Sequence, residues 1–182
     1  MDIVNRAKRL LLDPRSEWQA IAAEPADMVR LFTGYVVPLA AIPAVAGLIG
    51  AAIMGPGVLG MGSLLTSAIL GYILALVGVF LLAKIIEALA PRFGAPADAT
   101  AAIKLAAYAP TASWLGGAGL LIPWIGWIPA LLGGIYSLYL FYVGTPVVTR
   151  VPPGRVLGFA ISVVLVALVV NILIGTIIAI IA

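Results

Sequence analysis

Lys84 and Glu87 stand three residues apart, the spacing at which two side chains meet on one helical face. They fall at the end of a long apolar run. Charges inside a bilayer are costly and often mark ion or proton routes. The other reading is an interfacial pair whose lysine reaches water along its aliphatic stem. Asn171 is the one strongly polar side chain in the middle of the last apolar run. Its amide is expensive to bury unpaired, so it should face another helix, as a helix–helix contact or a contact to a substrate or ion. Tyr108 and Pro110 lie in a further apolar stretch, Gly144 and Pro146 in the one after it. Broken helices around a cavity build transporter sites, and the same residues also make kinks and close packing in inert bundles.

The remaining chemistry is thin. There is no cysteine and no histidine, which removes thiol chemistry, disulfides, the commonest transition-metal ligand and the commonest general base. The seven acidic residues form no dense cluster, and no glycine-rich loop is followed by the Lys-Ser/Thr of a phosphate cradle. The expectation is a protein with no catalytic residues, no cofactor and no metal. The net charge of +3 comes from scattered basic residues placed as membrane anchors, so no nucleic-acid partner is expected.

The elements that must position these residues are membrane spans. The chain is 64% hydrophobic and 9% charged, against about 25% charged in a soluble domain. Between Lys104 and Arg150 lie about 45 uncharged residues. As one helix they would measure roughly 67 Å, far beyond a hydrocarbon core of about 30 Å. The stretch must cross twice, and Ile122-Pro123-Trp124-Ile125-Gly126-Trp127-Ile128-Pro129 is the only plausible turn. Arg30 to Lys84 repeats the argument, turning at the glycine-rich stretch 55–62. The expected fold is an all-α, five-span bundle, with spans at about 31–54, 63–90, 105–121, 127–148 and 156–181. Pro38 and Pro43 should kink span one, and Trp114 should sit near the outer interface.

Residues 1–30 read as a cytoplasmic or interfacial helical segment ahead of the transmembrane domain, 31–182. Ile3, Val4, Ala7, Leu10 and Leu11 share one face of an amphipathic helix, and Asn5, Arg6, Lys8 and Arg9 the other. It either lies in the headgroup plane or packs on the cytoplasmic ends of the bundle. Ser16 and Gln19 form a capping-box pattern for a second helix, and Pro25 is placed to start the next. No cleavable signal is apparent, so the first span is expected to stay as an anchor. All ten basic residues fall in the N-terminal segment, in 84–104 and in 150–155. The positive-inside rule puts these segments in the cytoplasm, with the N-terminus inside and the C-terminus outside.

Short motifs carry a resemblance. Asp13-Pro14-Arg15-Ser16-Glu17-Trp18 precedes span one, and Pro38-Leu39-Ala40-Ala41-Ile42-Pro43 lies within it. Tyr108-Ala109-Pro110-Thr111 and Tyr139-Leu140-Phe141-Tyr142-Val143-Gly144-Thr145-Pro146 follow in spans three and four. In this order they resemble the Yip family, the Ypt/Rab-GTPase-interacting proteins, in its bacterial branch. The resemblance implies five spans, a cytoplasmic N-terminus and a place in the bacterial inner membrane. Eukaryotic members look like trafficking factors that bind Rab-type GTPases and one another. This chain lacks their Asp-Leu-Tyr-Gly-Pro motif and long cytoplasmic N-terminal region, so GTPase binding is not carried over.

Two readings of function follow. The first is a non-enzymatic Yip-type protein acting through protein or lipid contacts, self-associating through small-residue faces such as Ala46/Gly50, Ala112/Gly116 and Gly175/Ala179. The alternative is a small channel or transporter with a cavity between kinked spans one, three and four.

Overall fold

The computed structural model describes residues 2–25, 27–55 and 60–181, apart from the side chains of 174, 175 and 177–181. Most of the turn expected at 55–62 and the Gly175/Ala179 pair therefore lie outside the described residues. Among the described residues there is no strand. Four stretches of the described residues are long and apolar enough to cross a membrane: Met28–Met54, Gly60–Phe93, Trp127–Val148 and Pro153–Leu173.

Two short helices come first. α1, Ile3–Leu12, is capped by Asp2, whose carboxylate accepts from the Val4 and Asn5 N–H groups. α2, Pro14–Ala23, is capped by Asp13 and not by Ser16. Pro14 has a preset φ and no N–H to satisfy, so the helix starts three residues earlier than expected and the Ser16 N–H donates to Asp13. Likewise Asp27, not Pro25, opens α3, Met28–Leu31, by accepting from the Arg30 N–H.

α3 continues through a π-helical turn, Phe32–Val36, into α4, Val37–Met54. Pro38 has no N–H for the carbonyl four residues back, and the ladder widens just before it. α5, Gly60–Leu89, ends in a 3-10 turn, Ala90–Phe93, stopped by Gly94 at φ 84°.

The expected third span, 105–121, is not one helix. It comes as α6, Ala99–Tyr108, then α7, Thr111–Gly116, then a 3-10 turn, Gly117–Leu121. Pro110 withholds a backbone N–H at the break, and the Thr111 hydroxyl donates to the Tyr108 carbonyl at 2.6 Å. No piece alone is long enough to span, so the long apolar stretches among the described residues number four.

The broken segment runs parallel to α4. Thr111 meets Tyr35, Gly117 lies against Pro43, and Leu120 packs on Gly47 and Gly50. α8, Trp127–Val148, returns antiparallel to it. Gly116 lies against Gly133, and the Ser113 N–H donates to Ser137 Oγ at 2.9 Å. A Cβ on Gly116 or Gly133 would collide with backbone of the facing helix, so only glycine permits this approach. Trp124 and Trp127 are exposed at the hairpin tip, whereas Trp114, expected at the interface, is buried. α9, Val156–Ile181, packs on α5 and α8, with Phe159 parallel to Phe141 and edge-on to Phe93.

The buried core centres on α6, against which α1, α2, α4, α5, α8 and α9 place side chains of one buried cluster. Outward faces are apolar: Ile49 and Ile53 on α4, Ile69 and Phe80 on α5, Leu131 and Ile135 on α8, Leu165 on α9. Such a surface is normal against lipid tails and far larger than a soluble monomer exposes.

Candidate functional site

The densest polar grouping sits at the Lys84–Lys104 and Arg150 end of the bundle. Arg6 points inward from α1 and is 5% exposed. Its Nη1 donates to Glu17 Oε1 at 2.6 Å and its Nη2 donates to Glu24. Arg9 Nε donates to Glu17 Oε2 at 2.7 Å. The expected polar face of α1 is thus partly a docking face, while apolar Val4 and Leu12 are exposed. Burial works against the charge on Arg6, but the hydrogen bond to Glu24 and the nearby carboxylates outweigh it and raise the pKa above its ordinary value. Two arginines and two glutamates balance, which removes the several-kcal/mol penalty of a lone buried ion.

Aromatic rings form the floor. The Arg6 guanidinium lies 5.8 Å from the Tyr108 ring centroid. Trp18, fully buried on α2, meets Tyr108 edge-on at 6.3 Å, and Tyr35 packs on Tyr108 at 4.7 Å. The hydroxyls of Tyr35 and Thr111 share a hydrogen bond of 2.8 Å across the α6–α7 break. Any Cβ at Gly144 would overlap the Trp18 ring, so glycine makes the slot that seats α2 on α8. Lys104, 7% exposed, donates to the carbonyls of Ile21 (2.8 Å), Ala22 (3.4 Å) and Glu24 (2.5 Å). It caps the C-terminal end of α2, where a cation also meets the favourable end of the helix dipole. Tyr136 of α8 donates to the Leu11 carbonyl at 2.7 Å and holds the end of α1.

Of the residues singled out from sequence, Tyr108 lies in this hub, Pro110 makes the break beside it and Gly144 forms its wall. Pro146 lines a neighbouring cleft with Arg15 and Gln19. Lys84 and Glu87 do pair, at 2.8 Å, but on the surface and away from the hub. Asn171 faces a cavity of about 460 Å³ between α5, α7 and α9, also lined by Pro110, Ser113 and Trp114. Its amide donates to the Ala167 carbonyl of its own helix, so its side-chain donor is used within α9. That cavity is lined by α5, α7 and α9, whereas the cavity expected from sequence was to lie between spans one, three and four.

Sequence reasoning missed Arg6, Glu17, Trp18, Glu24, Tyr35 and Lys104. One signal was available. Arg6 and Arg9 share a face of α1, Glu17 and Glu24 share a face of α2, and a single residue, Asp13, joins the two helices. Among the described residues no group of His, Cys, Asp or Glu could hold a metal ion. The hub's arginines and glutamates are spent on one another, an arrangement suited to fastening helices.

The family model described as the Yip1 domain matches residues 8–174, nearly the whole chain. No curated protein and no solved structure matches it.

Proposed function

The chain belongs to the Yip1 domain family, and on that premise we propose a non-enzymatic integral membrane protein that works through protein or lipid contacts as a scaffold or organiser within the bilayer. One observation carries this reading. The arginines and glutamates of the hub are paired with one another, while the outward faces of α4, α5, α8 and α9 are broad and apolar. Surface of that kind is for contact, not chemistry.

Five crossings are part of the proposal. The broken segment 99–121 runs parallel to α4 and antiparallel to α8, which supports counting it as the third crossing despite its break. The clustering of all ten basic residues supports a cytoplasmic N-terminus, an outward C-terminus and residence in a bacterial inner membrane. The division at residue 30 between a cytoplasmic segment and a transmembrane domain belongs to the same proposal.

Self-association is the testable core. The full chain, purified in mild detergent, is crosslinked and its mass measured. We expect two or more copies per particle, or a co-purifying membrane protein. A strictly monomeric particle carrying neither protein nor lipid would sink the proposal.

A further inference from the structure

α1 turns only part of its surface to the hub. Arg6, Ala7 and Leu10 are buried, while Val4, Lys8 and Leu12, four residues apart along another side of the helix, are exposed. That line borders an apolar groove of about 410 Å³, lined from the bundle by Leu39 and Ile42 of α4 and Leu115 of α7. Lys8 is the one charged residue in its lining and closes no ion pair among the described residues. The sequence of α4 shows where the groove leads. Leu39, Ile42, Val45, Ile49 and Ile53 follow one another at helical spacing as a single apolar stripe. The stripe is buried at Leu39, half-buried at Ile42 and exposed at Val45, Ile49 and Ile53. All five lie in a stretch long and apolar enough to cross a membrane. The groove along α1 is therefore continuous with the face that α4 turns to lipid. Leu39 stands roughly 21 Å along the helix from Ile53, so a hydrocarbon core of about 30 Å that begins at Ile53 still contains Leu39. The headgroup region begins roughly 9 Å further on, within reach of a lysine that extends along its aliphatic stem.

We propose that this groove seats an acyl chain of an anionic phospholipid from the adjoining leaflet, with the lipid phosphate on Lys8. The apolar walls take the chain, and the lysine supplies the charge. Apolar burial and attraction between cations and anionic lipid are the two terms by which interfacial helices hold a bilayer, and a docked α1 offers both at one place. Val4 and Leu12, one turn to either side of Lys8, add apolar contact at the boundary between headgroups and chains. The inference rests on the reading of the chain as a membrane protein acting by contact, and it names one contact.

The chain has no cysteine, so Leu12→Cys, at an exposed position outside the hub, gives a single attachment point for a fluorophore. In vesicles of phosphatidylglycerol and phosphatidylcholine, bromines on the acyl chains should quench the label and aqueous iodide should not. Native mass spectrometry of the unlabelled full chain in mild detergent then compares the two lipids with identical chains. Phosphatidylglycerol should be retained above phosphatidylcholine. Lys8→Gln should lower its retention by about fivefold, the worth of one basic residue near an anionic surface, and leave phosphatidylcholine unchanged. Arg92→Gln removes the same charge at an exposed site outside the groove and should change neither. Val4→Gln should lower the retention of both. Quenching by iodide alone, equal retention of the two lipids, or a Lys8→Gln that behaves as Arg92→Gln does overturns the inference. A particle mass that halves in Val4→Gln assigns the groove to a second copy and overturns it too. Self-association with no lipid in the groove would overturn it alone and leave the scaffold proposal standing.

Discussion

Glu17 holds Arg6 and Arg9 at once from a position only 4% exposed. Glu17→Gln strips buried Arg6 of one of its two carboxylates and should cost about 1.5–3 kcal/mol, read as a lowered unfolding midpoint in mild detergent. Lys84→Gln breaks a pair whose lysine is 74% exposed and should leave that midpoint where it is. Equal effects from the two would contradict the division into a fastened interior and a solvated surface. Gly144→Leu forces a side chain into the volume of Trp18 and should cost about 1–3 kcal/mol by the same measurement, with Trp18 fluorescence shifting toward water. Gly144 and Tyr108 were legible as special because glycine and tyrosine are conspicuous in an apolar run. Arg6 and Lys104 were not, because in a membrane protein a basic residue beside a span reads first as an anchor. Only a partner distant in the chain makes it an interior group: Glu17 lies 11 residues from Arg6, and Ile21 lies 83 from Lys104.

Among the elements, α8 begins and ends where charge counting and turn chemistry put it. The third span does not, and its prolines explain why. Pro43 lies inside an unbroken α4 and Pro146 inside an unbroken α8, whereas Pro110 divides α6 from α7. Three prolines in apolar runs thus have different outcomes. What distinguishes Pro110 is local company: the Thr111 hydroxyl takes the Tyr108 carbonyl and Tyr35 meets Thr111 from α3–α4, so the open form is satisfied. The docking of α1 was likewise open between membrane surface and bundle, since one amphipathic face serves either. The bond from Tyr136 to the Leu11 carbonyl is one of its fastenings. Tyr136→Phe should loosen α1 without unfolding the bundle. Hydrogen exchange at the amides of residues 10–13 should quicken by about fivefold, the worth of one net hydrogen bond, while α8 is unaffected. Unchanged exchange there would mean that α1 is held by its charges alone.

For the whole molecule, the balance of basic residues makes a prediction independent of side-chain detail. A reporter active only outside the cytoplasm should be silent when inserted near Ala95 or Gly154. It should be active near Gly126 and after Ala182. Activity at Ala95 would overturn the five-crossing proposal. An inverted orientation would put all ten basic residues on the wrong side, each at an energetic cost. The grip of Lys104 on the last carbonyls of α2 also has a consequence in time. Chains emerge N-terminus first at about 5–20 residues per second, so α1 and α2 exist for several seconds before Lys104 is made. Gly144, which admits Trp18, follows later still. The segment of α1 and α2 is therefore made well before the residues that seat it. In the proposed orientation its arginines, glutamates and tryptophan wait on the ribosome's side of the bilayer until the hairpin of α7 and α8 has been inserted, available to whatever insertion machinery or chaperone is at hand.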